Sequence, residues 1–297
     1  MSAYTYHVDG ELVPADEATV SVRDRGFMYG DAAFETLRAY GGTVFEWAAH
    51  EDRLRNTCDL LGFADAVPDD LRERVRATLD ANDLADAYVR LSVSRGVQPG
   101  KLTPDPDVDP TVVVIVKELP RGGVDGTTPW DDPAVVQTVK TRRTPDAAVP
   151  AAAKTHNYLN GIRARLELRR AATDEFRADE ALLRTTDDAV AEGATSNVCF
   201  VDGGVLKTPS EDCDVLPGVT RDVVVDLARE EEFRVETGEY GVDEVREADE
   251  AFLTNTTWEI RPIASVDGIE IGTGPMTKLL TRLFDERVER RHYQRDE

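Results

Sequence analysis

Apolar positions along the chain follow two periods in turn, and their alternation predicts an α/β protein. Period-two runs at Tyr4–Val13, split by Asp9-Gly10, and at Ala33–Tyr40 with Thr43–Phe45, split by Gly41-Gly42, read as hairpins. Leu54, Cys58 and Leu61 within His50–Leu61 recur at helical spacing, as do Leu71, Val75 and Leu79 within Asp69–Leu79. Tyr88–Ser94 and Thr111–Val116 read as strands, and a Gly- and Pro-rich stretch follows them. Beyond it the pattern predicts a strand at Val135–Val139 and a helix from Tyr158 to Ala172. Short strands follow at Glu180–Arg184, Val198–Val201 and Val205–Leu206. A helix opening at Pro217-Gly218, a strand at Ala251–Leu253 and a C-terminal helix from Met276 complete the series. The expected organisation is α+β in two α/β domains: a small one over 1–118, a linker over 119–130 and a larger one over 131–297.

Composition narrows the partners. With 58 acidic residues against 35 Lys and Arg the formal charge is −23, so phosphate backbones and anionic lipid are repelled. Neither a nucleic-acid nor a membrane partner is expected. Arg outnumbers Lys by 29 to 6, and scarce Lys with abundant Asp suggests a halophilic protein kept soluble in concentrated salt. Three scattered cysteines, Cys58, Cys199 and Cys213, fit a reduced compartment better than a disulfide framework. The N-terminal segment has no secretory pattern, and the longest apolar run, Val112–Val116, is far too short to span a bilayer. A cytoplasmic location is expected. Four unpaired His residues exclude a zinc motif, and Pro110 spoils the calcium-loop spacing of Asp105, Asp107 and Asp109. No metal is expected.

Among the six lysines, Lys154 stands apart, between Pro150-Ala-Ala-Ala and Thr155-His156-Asn157-Tyr158. Small neighbours allow partial desolvation, which lowers an amine's pKa and frees it to form a Schiff base; a solvated surface Lys is the ordinary alternative. Tyr158 could bring a hydroxyl to the same place. Leu216-Pro217-Gly218-Val219-Thr220-Arg221 opens a helix whose first-turn amides could bind phosphate, or form a plain Pro-Gly helix start. Thr254-Asn255-Thr256-Thr257 is a polar turn after an apolar strand. Arg53 could serve as a fork donor or sit in a surface ion pair. Glu192 lies in a small, mostly apolar stretch where simple solvation is unusual. A phosphate cup, an amine, a phenol and a carboxylate together meet the needs of pyridoxal 5′-phosphate.

An ordered series of segments then resembles the class IV (fold-type IV) pyridoxal-phosphate-dependent aminotransferases. It comprises RGFMYGDAAFETLRAY (25–40), HEDRL (50–54), YVRLSVSRG (88–96), AKTHNYLN (153–160), DEALL (179–183), AEGATSNVCFV (191–201), LPGVTR (216–221) and ADEAFLTNTTWEIRPI (248–263). The resemblance implies that Lys154 holds the cofactor as an internal aldimine. It implies that Tyr158 and Asn197 serve the phenolate side, that Glu192 pairs with the ring nitrogen and that Leu216 packs on the ring. Arg53, the amides of Val219 and Thr220, and Thr256 are implied as phosphate ligands. Tyr29, Phe34, Arg90 and the Thr257 amide fall where family members line the substrate pocket. Small-molecule amino acid and 2-oxo acid substrates and a homodimer are implied as well.

Within this family the substrate stays open. Tyr88-Val89-Arg90-Leu91 keeps the Arg, but not the Pro, of the branched-chain type's Tyr-Ile-Arg-Pro. Val97-Gln98-Pro99-Gly100-Lys101 lacks the Arg-x-His trap of the D-alanine type. Asn255-Thr256-Thr257-Trp258-Glu259 replaces the branched-chain Gly-Thr-Ala-Ala-Glu and is somewhat similar to aminodeoxychorismate lyase. The expected activity is transfer of an amino group from an apolar, branched-chain-like L-amino acid to a 2-oxo acid such as 2-oxoglutarate. The lyase is the alternative, a D-amino acid aminotransferase a further one. An acidic binding module without catalysis is the reading from outside enzymology.

Overall fold

The computed structural model describes residues 4–119, 121, 129–173 and 177–294. Two units form: Met1–Arg121 with Ala153–Asn157 and Val288–Glu297, and Gly122–Ala152 with Tyr158–Arg287. The apolar pattern predicts a second domain unbroken over 131–297. Instead, the Lys154 segment and the C-terminal stretch belong with the first unit. Of the expected linker, residues 120 and 122–128 lie outside the described residues.

The first unit is a six-stranded antiparallel sheet with helices on one face. Strands β1 (Thr5–Val8) and β2 (Glu11–Pro14) close on Asp9-Gly10, both at positive φ, as the hairpin signal predicted. A short helix, α1 (Arg25–Tyr29), opens with the Asp24 carboxylate accepting the Gly26 amide at 2.7 Å. Strands β3 (Ala32–Tyr40) and β4 (Thr43–Val44), helices α2 (Trp47–Leu60) and α3 (Leu71–Ala81), and strands β5 (Ala87–Ser94) and β6 (Thr111–Glu118) follow, in sheet order β2-β1-β6-β5-β3-β4. Odd-numbered residues of β3 and β5, among them Ala33, Leu37, Val89 and Leu91, join Leu54 and Cys58 of α2 and Leu71, Val75 and Leu79 of α3 in one buried core. The even-numbered residues face the other way. After β5 the chain turns at Gly96 (φ +80°), where a Cβ would lie 1.8 Å from the Asp109 carbonyl oxygen, so only glycine fits.

The second unit begins at β7 (Ala134–Thr138), passes through helix α4 (Leu159–Ala171) and continues with β8 (Glu180–Arg184), β9 (Val190–Gly193), β10 (Asn197–Asp202) and β11 (Val205–Pro209). Helix α5 (Val219–Glu230), β12 (Val235–Gly238), α6 (Val242–Arg246), β13 (Glu250–Asn255), β14 (Glu259–Val266), β15 (Ile269–Glu270) and α7 (Pro275–Val288) complete it. Its sheet runs β12-β11-β10-β13-β14-β7-β8-β9, with β15 on β14, and Phe200, Leu182, Leu253, Ile263 and Val266 pack together in its core. Parallel pairing occurs between β11 and β12, β14 and β7, and β7 and β8. Among the described residues no helix is long and apolar enough to cross a membrane, and no cluster of side chains could hold a metal ion.

Candidate active site

In the first unit the candidate residues gather on the face of β3 turned away from the helices. Phe34 and Ser92 are cross-strand partners, and Arg90 lies two residues along β5 on the same face. The segment carrying Lys154 joins the free edge of β3: Phe34 N donates to Lys154 O (2.9 Å), and His156 N donates to Ala32 O (2.8 Å). The Lys154 ammonium thereby stands 4.6 Å from the Phe34 ring centroid, and the Arg90 guanidinium carbon 4.0 Å from it. Arg90 is half-buried and forms no ion pair with any described residue. His156 packs its ring edge against Phe34, with Nε2 3.1 Å from Ser92 Oγ. Burial, reinforced by Arg90, lowers its pKa to about 4, so it adds no third cation near neutral pH.

Behind Phe34, the next residue points into the helix-facing core. Glu35 is fully buried, and its carboxylate takes Arg53 Nε (2.8 Å) and Nη2 (2.6 Å) and His50 Nδ1 (2.8 Å). A carboxylate only accepts, so Nδ1 carries the His50 hydrogen. Burial alone would raise the Glu35 pKa, but the Arg53 charge and these hydrogen bonds bring it from 4.5 down to about 2. The expected fork of Arg53 is thus turned onto Glu35, and any phosphate contact must come from its remaining edge. Thr57 ties the two halves of this cluster. It donates to Arg53 O (2.9 Å) and accepts from Lys154 N (3.0 Å). Tyr29 behaves differently: it is exposed, with the Arg25 guanidinium over its ring, and no described contact joins it to the Phe34 cluster.

In the second unit Glu192 is buried at the end of β9. Its Oε1 accepts Arg143 Nε (2.7 Å), and its Oε2 accepts the Leu216 amide (3.1 Å) and Asn197 Nδ2 (3.3 Å). Asn197 also donates to Leu216 O (3.0 Å), so Glu192, Asn197 and Leu216 form one network. Gly218 meets Asn197 Oδ1 so closely that a Cβ there would sit 1.8 Å away; glycine is obligatory before α5. Val219 and Thr220, both buried, then occupy the first turn of α5, where Gly218 offers no capping side chain. Tyr158 is half-buried at the start of α4. A surface cavity of about 420 Å³ in this unit, lined by Asp146, Ala151, Ala152, Glu211, Asp212 and Val215, includes none of the candidate residues.

Thr256 and Thr257 sit half-buried in the turn between β13 and β14. The Thr257 amide, expected to face substrate, donates to Asn255 Oδ1 at 3.0 Å. Sequence reasoning missed three supporting residues, Glu35, Arg143 and Glu180, and read Asn255 only as part of a polar turn. Glu180 is fully buried, and its Oε2 accepts Thr195 N (3.2 Å), Thr195 Oγ1 (2.6 Å) and Ser196 Oγ (3.2 Å), which fixes the loop between Glu192 and Asn197. A partial signal was present for two of them, since Glu35 follows Phe34 and Glu180 precedes Ala181-Leu182-Leu183 in segments read as strands.

The same chain matches known proteins along most of its length. The family model "Amino-transferase class IV" covers residues 32–266. The chain belongs to the class IV aminotransferases. Enzymes of this class use pyridoxal 5′-phosphate, and one similar branched-chain aminotransferase has been solved with pyridoxamine 5′-phosphate, at a TM-score of 0.86. A Methanocaldococcus jannaschii protein, provisionally named a branched-chain-amino-acid aminotransferase, is 36% identical over 94% of this chain and 95% of its own length. A D-alanine aminotransferase of Listeria monocytogenes and the aminodeoxychorismate lyase of Bacillus subtilis are each 31% identical over 95% of the chain, covering 96% and 94% of those relatives. Among solved structures, the branched-chain aminotransferase of the archaeon Thermoproteus uzoniensis with norvaline superposes with a TM-score of 0.87. It is 27% identical, covering 98% of this aminotransferase and 97% of the other chain. The two-domain fold-type IV architecture expected from the sequence is the architecture of such neighbours.

Proposed function

We propose that the protein transfers the amino group of an L-amino acid with a branched or similar apolar side chain to a 2-oxo acid such as 2-oxoglutarate. One observation carries this reading: the half-buried Arg90, without an ion pair among the described residues, shares the Phe34 ring with Lys154, so an anion site lies beside a primary amine. Substrates on both sides of a transamination carry a carboxylate, and Arg90 suits it. The second-unit residues fit the cofactor by their chemistry. Glu192, a buried carboxyl group among three donors, suits a protonated ring nitrogen, and the first-turn amides of Val219 and Thr220 suit a phosphate.

Bound pyridoxal 5′-phosphate supplies an electron sink for charge developing at the substrate α-carbon. Lys154 holds the cofactor and moves the α-proton, first as base and then as acid. Tyr158 and Asn197 support the phenolate side, Leu216 packs on the ring, and Arg53 and Thr256 assist at the phosphate. Tyr29, Phe34 and the Thr257 turn shape the substrate pocket. The functional unit is a homodimer, a reading supported by Leu159, Ile162 and Leu166, which lie exposed along one side of α4.

Identity to relatives of three activities leaves the reaction to experiment. The lyase reading draws support from the polar Asn255-Thr256 turn, and the missing Arg-x-His after β5 speaks against D-alanine. The test is a coupled assay of L- and D-amino acids with 2-oxoglutarate, run beside 4-amino-4-deoxychorismate. Transfer from L-leucine, L-isoleucine or L-valine is expected. Fast pyruvate release from the last substrate without amino transfer would overturn the proposal. Purified protein should be yellow and Lys154→Ala colourless; a parent that stays colourless with added cofactor would leave a binding module instead.

A further inference from the structure

The turn between β13 and β14 collects its donors on one side-chain atom. Asn255 Oδ1 accepts from Trp258 N (2.7 Å), Thr257 N (3.0 Å) and Thr257 Oγ1 (3.1 Å). Its Nδ2 donates to Thr195 O (3.2 Å), in the loop fixed by Glu180. Glu259, which pairs with Asn255 across the turn, holds φ +58°, so the backbone is committed to this tight shape. Two successive amides and a hydroxyl converging on one point make a cup for an oxygen acceptor. Here the chain's own carboxamide fills it.

We infer that Asn255 is a specificity-determining residue: its side-chain oxygen masks an anion cup formed by Thr257 and Trp258, and a substrate carboxylate engages that turn only by displacing it. This rests on the proposed reading that the Thr257 turn faces substrate. A carboxylate oxygen forms stronger hydrogen bonds than a neutral amide oxygen, so displacement is feasible. It is selective as well, because a weakly accepting group gains nothing by replacing Asn255. The same masking keeps simple anions out. A bare cup of this kind would take chloride, whereas an occupied one is insensitive to it.

The experiment compares the holoenzyme with Asn255→Ala and Asn255→Asp, using the amino acid and 2-oxo acid turned over by the parent. Asn255→Ala opens the cup, so KM for the 2-oxo acid should fall about tenfold at low chloride, with the change in KM rather than kcat. Potassium chloride should then compete with substrate in this variant and not in the parent. Asn255→Asp keeps the acceptor and adds a negative charge, so KM should rise about tenfold. Amide hydrogen exchange at Thr257 and Trp258 gives a readout independent of turnover, and Asn255→Ala should speed it about tenfold or more. Unchanged KM in both variants, or unchanged exchange, would overturn the inference. So would a loss of kcat that tracks lost cofactor affinity, which would make Asn255 a scaffold residue. A parent that transfers no amino group defeats the aminotransferase proposal instead, and the exchange measurement still judges the masking.

Discussion

Replacing Glu35 by Gln removes one buried charge while keeping the shape of the side chain. In the native protein that carboxylate accepts two Arg53 donors and His50, and its pKa falls from 4.5 to about 2 despite full burial. The difference corresponds to about 3 kcal/mol of native stability at neutral pH. Breaking a buried pair by removing one partner costs a similar amount, on the order of 3–5 kcal/mol, because the guanidinium is left without its counter-charge. The folded-state pKa lies below the unfolded one. The contribution is therefore complete above pH 4.5 and drains away as the pH falls toward 2. Urea unfolding of parent and Glu35→Gln at pH 7 should differ by about 3 kcal/mol, and at about pH 3 by roughly half of that. Equal stability at pH 7, or a gap that widens on acidification, would refute the reasoning. Arg53 also loses its orientation in the variant, so cofactor affinity should fall in parallel.

Arg90→Gln should raise KM for amino donor and acceptor alike by about tenfold to a hundredfold, as expected for losing a charged hydrogen bond to a carboxylate; steady-state kinetics that leave both KM values in place would count against its role. Glu180→Gln turns an amide toward the Thr195 and Ser196 donors, so unfolding of the apoprotein should show a loss of about 1–3 kcal/mol and cofactor titration a weaker complex. Intact cofactor affinity in that variant would mean that the Glu192–Asn197 loop holds itself. From the charge of −23, stability should rise between about 0.1 M and about 2 M KCl, and thermal unfolding with equal midpoints at the two concentrations would contradict the halophilic reading.

Strands and helices with one clear period were legible in the sequence. The Asp9-Gly10 hairpin was legible from its turn pair, and β5, β6, α2 and α3 fall within a few residues of their predicted bounds because each has a single apolar face buried on a single core. Helix α1 escaped notice because Phe27, Met28 and Tyr29 are exposed on it, so no apolar stripe announces a buried side. Strand β9 was hidden by its shortness and its mixed Ala191-Glu192-Gly193 run, and β14 by the Arg261-Pro262 pair within it. Lys154, Tyr158, Arg53, Glu192 and the helix start at Leu216-Pro217-Gly218 stood out from the residues alone, and the remaining candidates came through the resemblance. What holds them was not legible, since the bonds from Glu35 to Arg53, from Glu180 to Thr195 and from Arg143 to Glu192 span 18, 15 and 49 positions. Periodicity cannot register pairs so far apart.

The scattered make-up of the first unit bears on how the protein is made. Its sheet is finished by residue 118, yet the edge of β3 that receives Ala153–Asn157 waits for a later part of the chain, and the stretch from Val288 comes later still. At ordinary ribosomal speeds the gap between residues 118 and 157 lasts about 2–8 s. Through that interval the nascent chain carries an incomplete strand edge, the kind of surface that recruits other chains. Yield on rapid expression should therefore be limited by this wait, and a gene split after Arg121 should produce a first half that aggregates when made without the second.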